Sequence, residues 1–129
     1  MRSRLTLALA AYLAAVASSL PGPSLGAQEK VYEIAELQAR LELLPSGAYR
    51  ITEAITYDFQ VGTFTFALRD IPLSNSDGVS AVTVRSADVA INDVQQGEEE
   101  DLWRVRWEFP PASGLVTFIL EYDIFAALR

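Results

Sequence analysis

The chain has 129 residues, half of them hydrophobic, with 10 basic against 17 acidic side chains and neither cysteine nor histidine. That length holds one domain with a real core, and a charge of −7 repels phosphate backbones and anionic lipid, so no nucleic-acid partner is expected. The missing cysteine and histidine exclude disulfide bracing, a lipoprotein anchor, thiol nucleophiles, histidine-based triads and the usual zinc sites, and no cofactor is implied.

The first element is a targeting segment. Met1 to Arg4 carries two arginines, Leu5 to Ala17 is almost wholly apolar, and Pro21, Gly22, Pro23 and Gly26 break any helix ahead of the small residue Ala27. This is the three-part layout of a secretory signal peptide, so residues 1–27 are assigned to a signal helix and an exported, extracytoplasmic protein is expected. The apolar run is shorter than the roughly 20 residues a bilayer crossing needs, which makes a permanent anchor the lesser reading. A cut after Gly26 places Ser24 three residues back and a cut after Ala27 places Leu25 there, so the cleavage position stays open by a few residues. Removing Arg2 and Arg4 leaves 8 basic against 17 acidic residues, a net charge of −9.

Residues 28–129 then alternate apolar and polar side chains in short runs between turn residues, the mark of strands with one buried face. Ile34, Leu37, Leu41 and Leu44 fall at helical spacing, yet Leu37, Ala39, Leu41 and Leu43 also alternate with Glu36, Gln38, Arg40 and Glu42. A strand is expected, because Pro45-Ser46-Gly47 makes a tight connection to the next run, giving a hairpin over residues 36–59. From Ala48 to Phe59 the alternation is clearest, with Tyr49, Ile51, Glu53, Ile55, Tyr57 and Phe59 on one side. Phe64, Phe66 and Leu68 alternate with Thr63, Thr65 and Ala67, and Val82 and Val84 with Thr83 and Arg85. Trp103, Val105, Trp107 and Phe109 form one row, and Phe118, Leu120 and Tyr122 another within Val116 to Ile124. Breaks are expected at Gly62, Asn75 to Gly78, Gln95 to Asp101, and Pro110-Pro111 with Gly114. The spacing predicts an all-β, antiparallel immunoglobulin-like β-sandwich.

The order of the pieces Tyr32-Glu33-Ile34, Ile51-Thr52-Glu53-Ala54-Ile55-Thr56-Tyr57-Asp58-Phe59, Arg69-Asp70-Ile71-Pro72-Leu73 and Leu120-Glu121-Tyr122-Asp123-Ile124 resembles a known family. It is similar to the amino-terminal domain of bacterial predicted membrane proteins grouped as domain of unknown function 2207 (DUF2207), from Tyr32 onward. The resemblance implies an exported β-rich domain facing outward from the cell envelope, joined to the membrane by helices that this chain does not contain. The family domain usually continues past the Tyr122 region, so the chain is expected to be a truncated part of such a protein, with a stand-alone secreted version as the alternative. The resemblance supplies no activity.

Four residues are candidates for a binding role. Glu53 stands on an otherwise apolar strand face, either as a functional acid or as a structural carboxylate satisfied by a partner; the structural reading is favoured, with Arg69 or a turn amide opposite it. By parity Arg69 shares a face with Thr65 and Ala67, so that pairing requires a bulge or bend near Asp70. Trp103 and Trp107 lie on one face ~13 Å apart, a spacing that offers a platform for sugar rings, but the charged opposite face favours core packing. The acidic run Glu98-Glu99-Glu100-Asp101 lacks the alternating ligands and pivot glycine of a calcium loop and reads as a solvated loop, so no metal site is expected.

The function expected is that of a non-catalytic extracytoplasmic domain of a cell-envelope membrane protein, serving interaction, sensing or assembly with an envelope protein or ligand not named by the sequence. A free secreted module binding carbohydrate or protein is the second reading. A carboxylate-based hydrolase is the third, since paired acids are the catalytic machinery left in a chain whose single lysine, Lys30, sits near the mature terminus.

Overall fold

The computed structural model describes residues 2–3, 30–74 and 76–126. The expected signal helix, apart from Arg2–Ser3, lies outside the described residues. These form strands β1 (Arg2–Ser3), β2 (Val31–Leu43), β3 (Tyr49–Pro72), β4 (Ser76–Val79), β5 (Thr83–Arg85), β6 (Asp93–Glu99) and β7 (Leu102–Ala126). Every pairing is antiparallel, in the order β1-β2-β3-β7-β4, with β5 and β6 also joined to β7. The all-β expectation holds.

The segment with two readings is a strand. β2 pairs with β3 from Glu36 opposite Thr56 to Leu43 opposite Tyr49, and the turn closes with the Leu44 N–H donating to the Ala48 carbonyl at 2.8 Å and the Gly47 N–H to the Leu44 carbonyl at 2.9 Å. Gly47 takes a φ of 92°, open to glycine at no steric cost. Helix propensity loses because pairing sets the apolar row Leu37, Ala39 and Leu41 beside Ile55, Glu53 and Ile51.

β3 and β7 run on through places where the sequence suggests breaks. Both strands fold back on themselves. Trp107 and Phe118 are eleven residues apart, a span of about 37 Å in a straight strand, yet their ring centroids lie 5.4 Å apart. The fold-back sits where the pairing of β3 with β7 is irregular: Phe59 faces Gly114 and Phe64 faces Ala112, so extra residues of β3 bulge out. Gly62 and Gly114 supply positive φ angles of 81° and 74° at this corner. Pro110 and Pro111, which have no N–H to donate, fall in a second bulge, where Phe64 faces Ala112 but Phe66 faces Glu108.

That second bulge reverses the alternation. Phe64 is buried, but from there Ala67, Arg69 and Ile71 are the buried residues, while Phe66 and Leu68, grouped with Phe64 by the sequence, turn outward. Phe66 lies 4.0 Å beneath the Arg106 guanidinium. A further correction concerns Gln95 to Asp101, expected as a break: β6 occupies Asp93–Glu99, because its hairpin with β7 places Val94 beside Trp107 and leaves the acids on exposed positions.

The first halves of β3 and second halves of β7, with β2, β4 and β5, make one layer; the remaining halves with β6 fold over it. Between them lie Ile55, Tyr57, Phe59, Trp107, Phe109 and Phe118. The layers are also clasped at one side, where the Gln96 amide receives the Val82 N–H at 2.7 Å and donates to the Val82 carbonyl at 2.9 Å.

Trp107 fills the centre of this core with no solvent exposure. Its replacement by alanine is expected to cost about 3–5 kcal/mol of unfolding free energy in urea titrations, the usual penalty for emptying an aromatic core site. An unchanged midpoint would contradict the packing described.

Candidate functional site: a buried carboxylate and its partners

Glu53 and Arg69 are buried charged residues, 0% and 5% exposed. The local fold explains why they meet. Glu53 is on the inward row of β3, with Ala39 of β2 and Leu120 of β7 as cross-strand neighbours; the small Ala39 leaves room beside the carboxylate. Arg69 comes sixteen residues later on the same strand, carried back over Glu53 by the corner and turned inward by the bulge ahead of Phe66. The bend that the sequence places near Asp70 thus occurs earlier.

The contact is a two-pronged ion pair. Arg69 Nε donates to Glu53 Oε1 at 2.9 Å and Nη2 to Oε2 at 2.7 Å. Arg69 Nη1 donates to the Asp70 carbonyl at 2.6 Å, and the Tyr122 hydroxyl donates to Glu53 Oε2 at 2.9 Å. The planar guanidinium matches the carboxylate edge to edge, the geometry in which charge-assisted hydrogen bonds are strongest. Burial works against the Arg69 charge, but the hydrogen bonds and charge of Glu53 outweigh it and hold the guanidinium above its ordinary pKa.

Two phenols respond to the same surroundings. Burial pushes the Tyr122 hydroxyl well above the usual tyrosine range, and the neighbouring Glu53 charge adds to the shift. Burial does the same for Tyr57, with Tyr32 and Glu53 adding and Arg69 opposing. On the outward side of the strand Asp70 holds Arg104 through two bonds of 2.8 and 3.0 Å, and Arg104 also reaches Glu99 at 3.3 Å. With Arg104 41% exposed, these outer pairs are screened and contribute little.

The other candidates are not assembled with this cluster. Trp107 is enclosed against Phe118, and Trp103 is half-buried with its indole N–H donated to Gln96 at 3.0 Å, so the pair presents no open platform to a sugar ring. Glu98 and Glu99 end β6, and Glu100 and Asp101 form the exposed turn into β7, with Glu100 at a φ of 57°. Among the described residues no group of three or more acids could hold a metal ion. A cleft of about 170 Å³ is lined by Tyr122 together with Arg50, Ser80, Thr83, Glu121 and Asp123. Arg50 and Asp123 pair with each other there, Arg50 donating at 2.9 and 3.2 Å, and Glu121 accepts from the Thr52 hydroxyl at 3.3 Å.

Sequence reasoning missed two polar side chains. Tyr122 was visible as a member of an apolar row and of a piece that carries the family resemblance, with no polar role; a hydroxyl on that row, in a chain with a buried acid, was the available signal. Gln96 lay in a presumed break and gave none. Comparison with known proteins finds no matching family model, no matching curated protein and no matching solved structure.

The raised phenols give stability a defined alkaline limit. An unfolded tyrosine titrates near its ordinary pKa of about 10, while the folded chain keeps Tyr57 and Tyr122 protonated beyond that pH. Below about pH 10 both states bind the proton and nothing is lost; above it the unfolded state releases protons that the folded state retains. Unfolding free energy is therefore expected to fall by about 1.4 kcal/mol per pH unit for each tyrosine. Urea titrations between about pH 9 and 12 measure this slope, and Tyr122→Phe should remove about half of it. A flat profile over that range would contradict the burial of both hydroxyls.

Proposed function

We propose that this chain is the non-catalytic, extracytoplasmic domain of a bacterial cell-envelope membrane protein of the DUF2207 type, acting in interaction, sensing or assembly through its surface. The observation that carries the reading is the state of Glu53. Its carboxylate, the acid singled out by its apolar strand face, is fully buried and accepts three hydrogen bonds from Arg69 and Tyr122. An acid held in this way is a structural tie and does not face a substrate.

The sequence layout supports export. A basic, apolar and small-residue progression precedes the strands, and the strands build a core from aromatic packing in a chain without cysteine. Two antiparallel layers packed over one core favour the immunoglobulin-like sandwich as the finer description, although the passage of β3 and β7 through both layers departs from sandwiches whose sheets use separate strands. The resemblance to DUF2207 rests on the ordered pieces Tyr32 to Ile34, Ile51 to Phe59, Arg69 to Leu73 and Leu120 to Ile124. Three of these residues, Glu53, Arg69 and Tyr122, form the buried cluster.

Mass spectrometry of envelope and culture fractions tests the export reading. The expected result is a chain cut between about residues 17 and 30. A cytoplasmic protein still beginning at Met1 would overturn it.

A further inference from the structure

Among the described residues, β2 pairs with β3 along one side and has only the two-residue β1 on the other. Along its other side Arg2–Ser3 lies antiparallel, opposite Glu42 and Leu41. This stretch of edge therefore accepts an added strand. It is also regular: the pairing irregularities of β2 fall between Val31 and Tyr32 and between Ile34 and Glu36, and none follows from Glu36 to Leu43. Bulges, proline and lysine are absent from that stretch, and the charges that guard it against unmatched strands are Glu36, Arg40 and Glu42. Its inward row ends on Leu43, 56% exposed, beside half-buried Leu41 and Ala39; its outward row carries Arg40 and Glu42, both exposed.

We propose that, once residues 1–27 are removed, β2 pairs antiparallel with β2 of a second copy of this chain about a two-fold axis at Leu41, joining two sheets edge to edge. The inference rests on the export reading, because Arg2–Ser3 occupies part of the same edge.

Charge and register select this occupant. Residues facing one another across an antiparallel pair share a sheet face, so the pairing must set the Leu41 row against itself and the Arg40 row against itself. An axis at Ala39 would place Glu36 against Glu42, and one at Arg40 would place Arg40 against its own copy; like charges directly opposite are destabilising. An axis at Gln38 would match Arg40 to Glu36 but run into the irregularity before Glu36. The axis at Leu41 matches Arg40 to Glu42 twice and covers the exposed Leu43 with Ala39 of the second copy. It also extends a row that already alternates in sign, since Glu42 neighbours Arg50 and Arg50 pairs with Asp123.

Sedimentation of the protein recovered from envelope or medium tests the proposal, with mass spectrometry of its terminus. A mass of two chains is expected. Arg40→Glu and Glu42→Arg should each raise the dimer dissociation constant about tenfold, by turning two symmetric attractions into repulsions. The double substitution should restore it, and mixing the two single variants should give a heterodimer, since each then meets its opposite charge. Both side chains are exposed, so circular dichroism should show the fold unchanged. A processed chain that stays monomeric up to the solubility limit overturns the proposal alone; a chain still beginning at Met1 overturns the export reading and with it the ground on which the proposal rests. A dimer indifferent to both charge reversals also overturns it.

Discussion

The fold turns on the burial of one positive and one negative charge against each other. Neither Glu53 nor Arg69 retains water contact of any consequence, and an isolated ion in such surroundings is strongly unfavourable. The two must therefore meet, and they lie sixteen residues apart on one strand. A straight β3 would hold them about 50 Å apart. The corner around Gly62 brings the second half of the strand over the first, and the bulge that holds Pro110 and Pro111 on β7 accompanies the change of face that sets Arg69 inward. Tyr122, from the second half of β7, completes the carboxylate's shell, so both halves of β3 and one half of β7 converge on three side chains.

This cluster and the aromatic core contribute differently. Area and dispersion come from Trp107, Phe118, Tyr57, Phe59 and Phe109, stacked and edge-to-face across the two layers. A buried ion pair adds little net stability over apolar residues of the same shape. What it adds here is register. A one-residue slip of either half of β3 would turn its own charged side chain outward and leave the other buried without its partner, a penalty added to that of the misplaced aromatic core.

The strands were legible where period two runs unbroken. Ala48 to Phe59 and Trp103 to Phe109 could be read directly, and the Pro45-Ser46-Gly47 turn decided between helix and strand for β2. Phase across the bulges was not legible: Phe64, Phe66 and Leu68 look like one face, and only the register shift that passes over Pro110 and Pro111 shows that the face changes between the first and second. Continuity was hidden for the same reason, since glycine and proline mark strand ends in sequence but here mark corners within β3 and β7. Of the cluster, Glu53 was legible as a polar residue on an apolar face, and Arg69 as one of two candidate partners, the other being a turn amide. Tyr122 was not, because a phenol is equally at home as an apolar body. The acids of β6 hid a strand whose one inward anchor is Val94 beside Trp107.

A double-mutant cycle on Glu53 and Arg69 tests the central claim most directly. With unfolding free energies from urea titrations, Glu53→Ala and Arg69→Ala should each cost about 3–5 kcal/mol, because each leaves the other's charge buried without its partner. Glu53→Gln should cost less than Glu53→Ala, keeping the shape and one acceptor. The double alanine variant should then lose much less than the two single losses combined. Additive losses, or single variants as stable as the parent chain, would contradict a fold tied together by this pair.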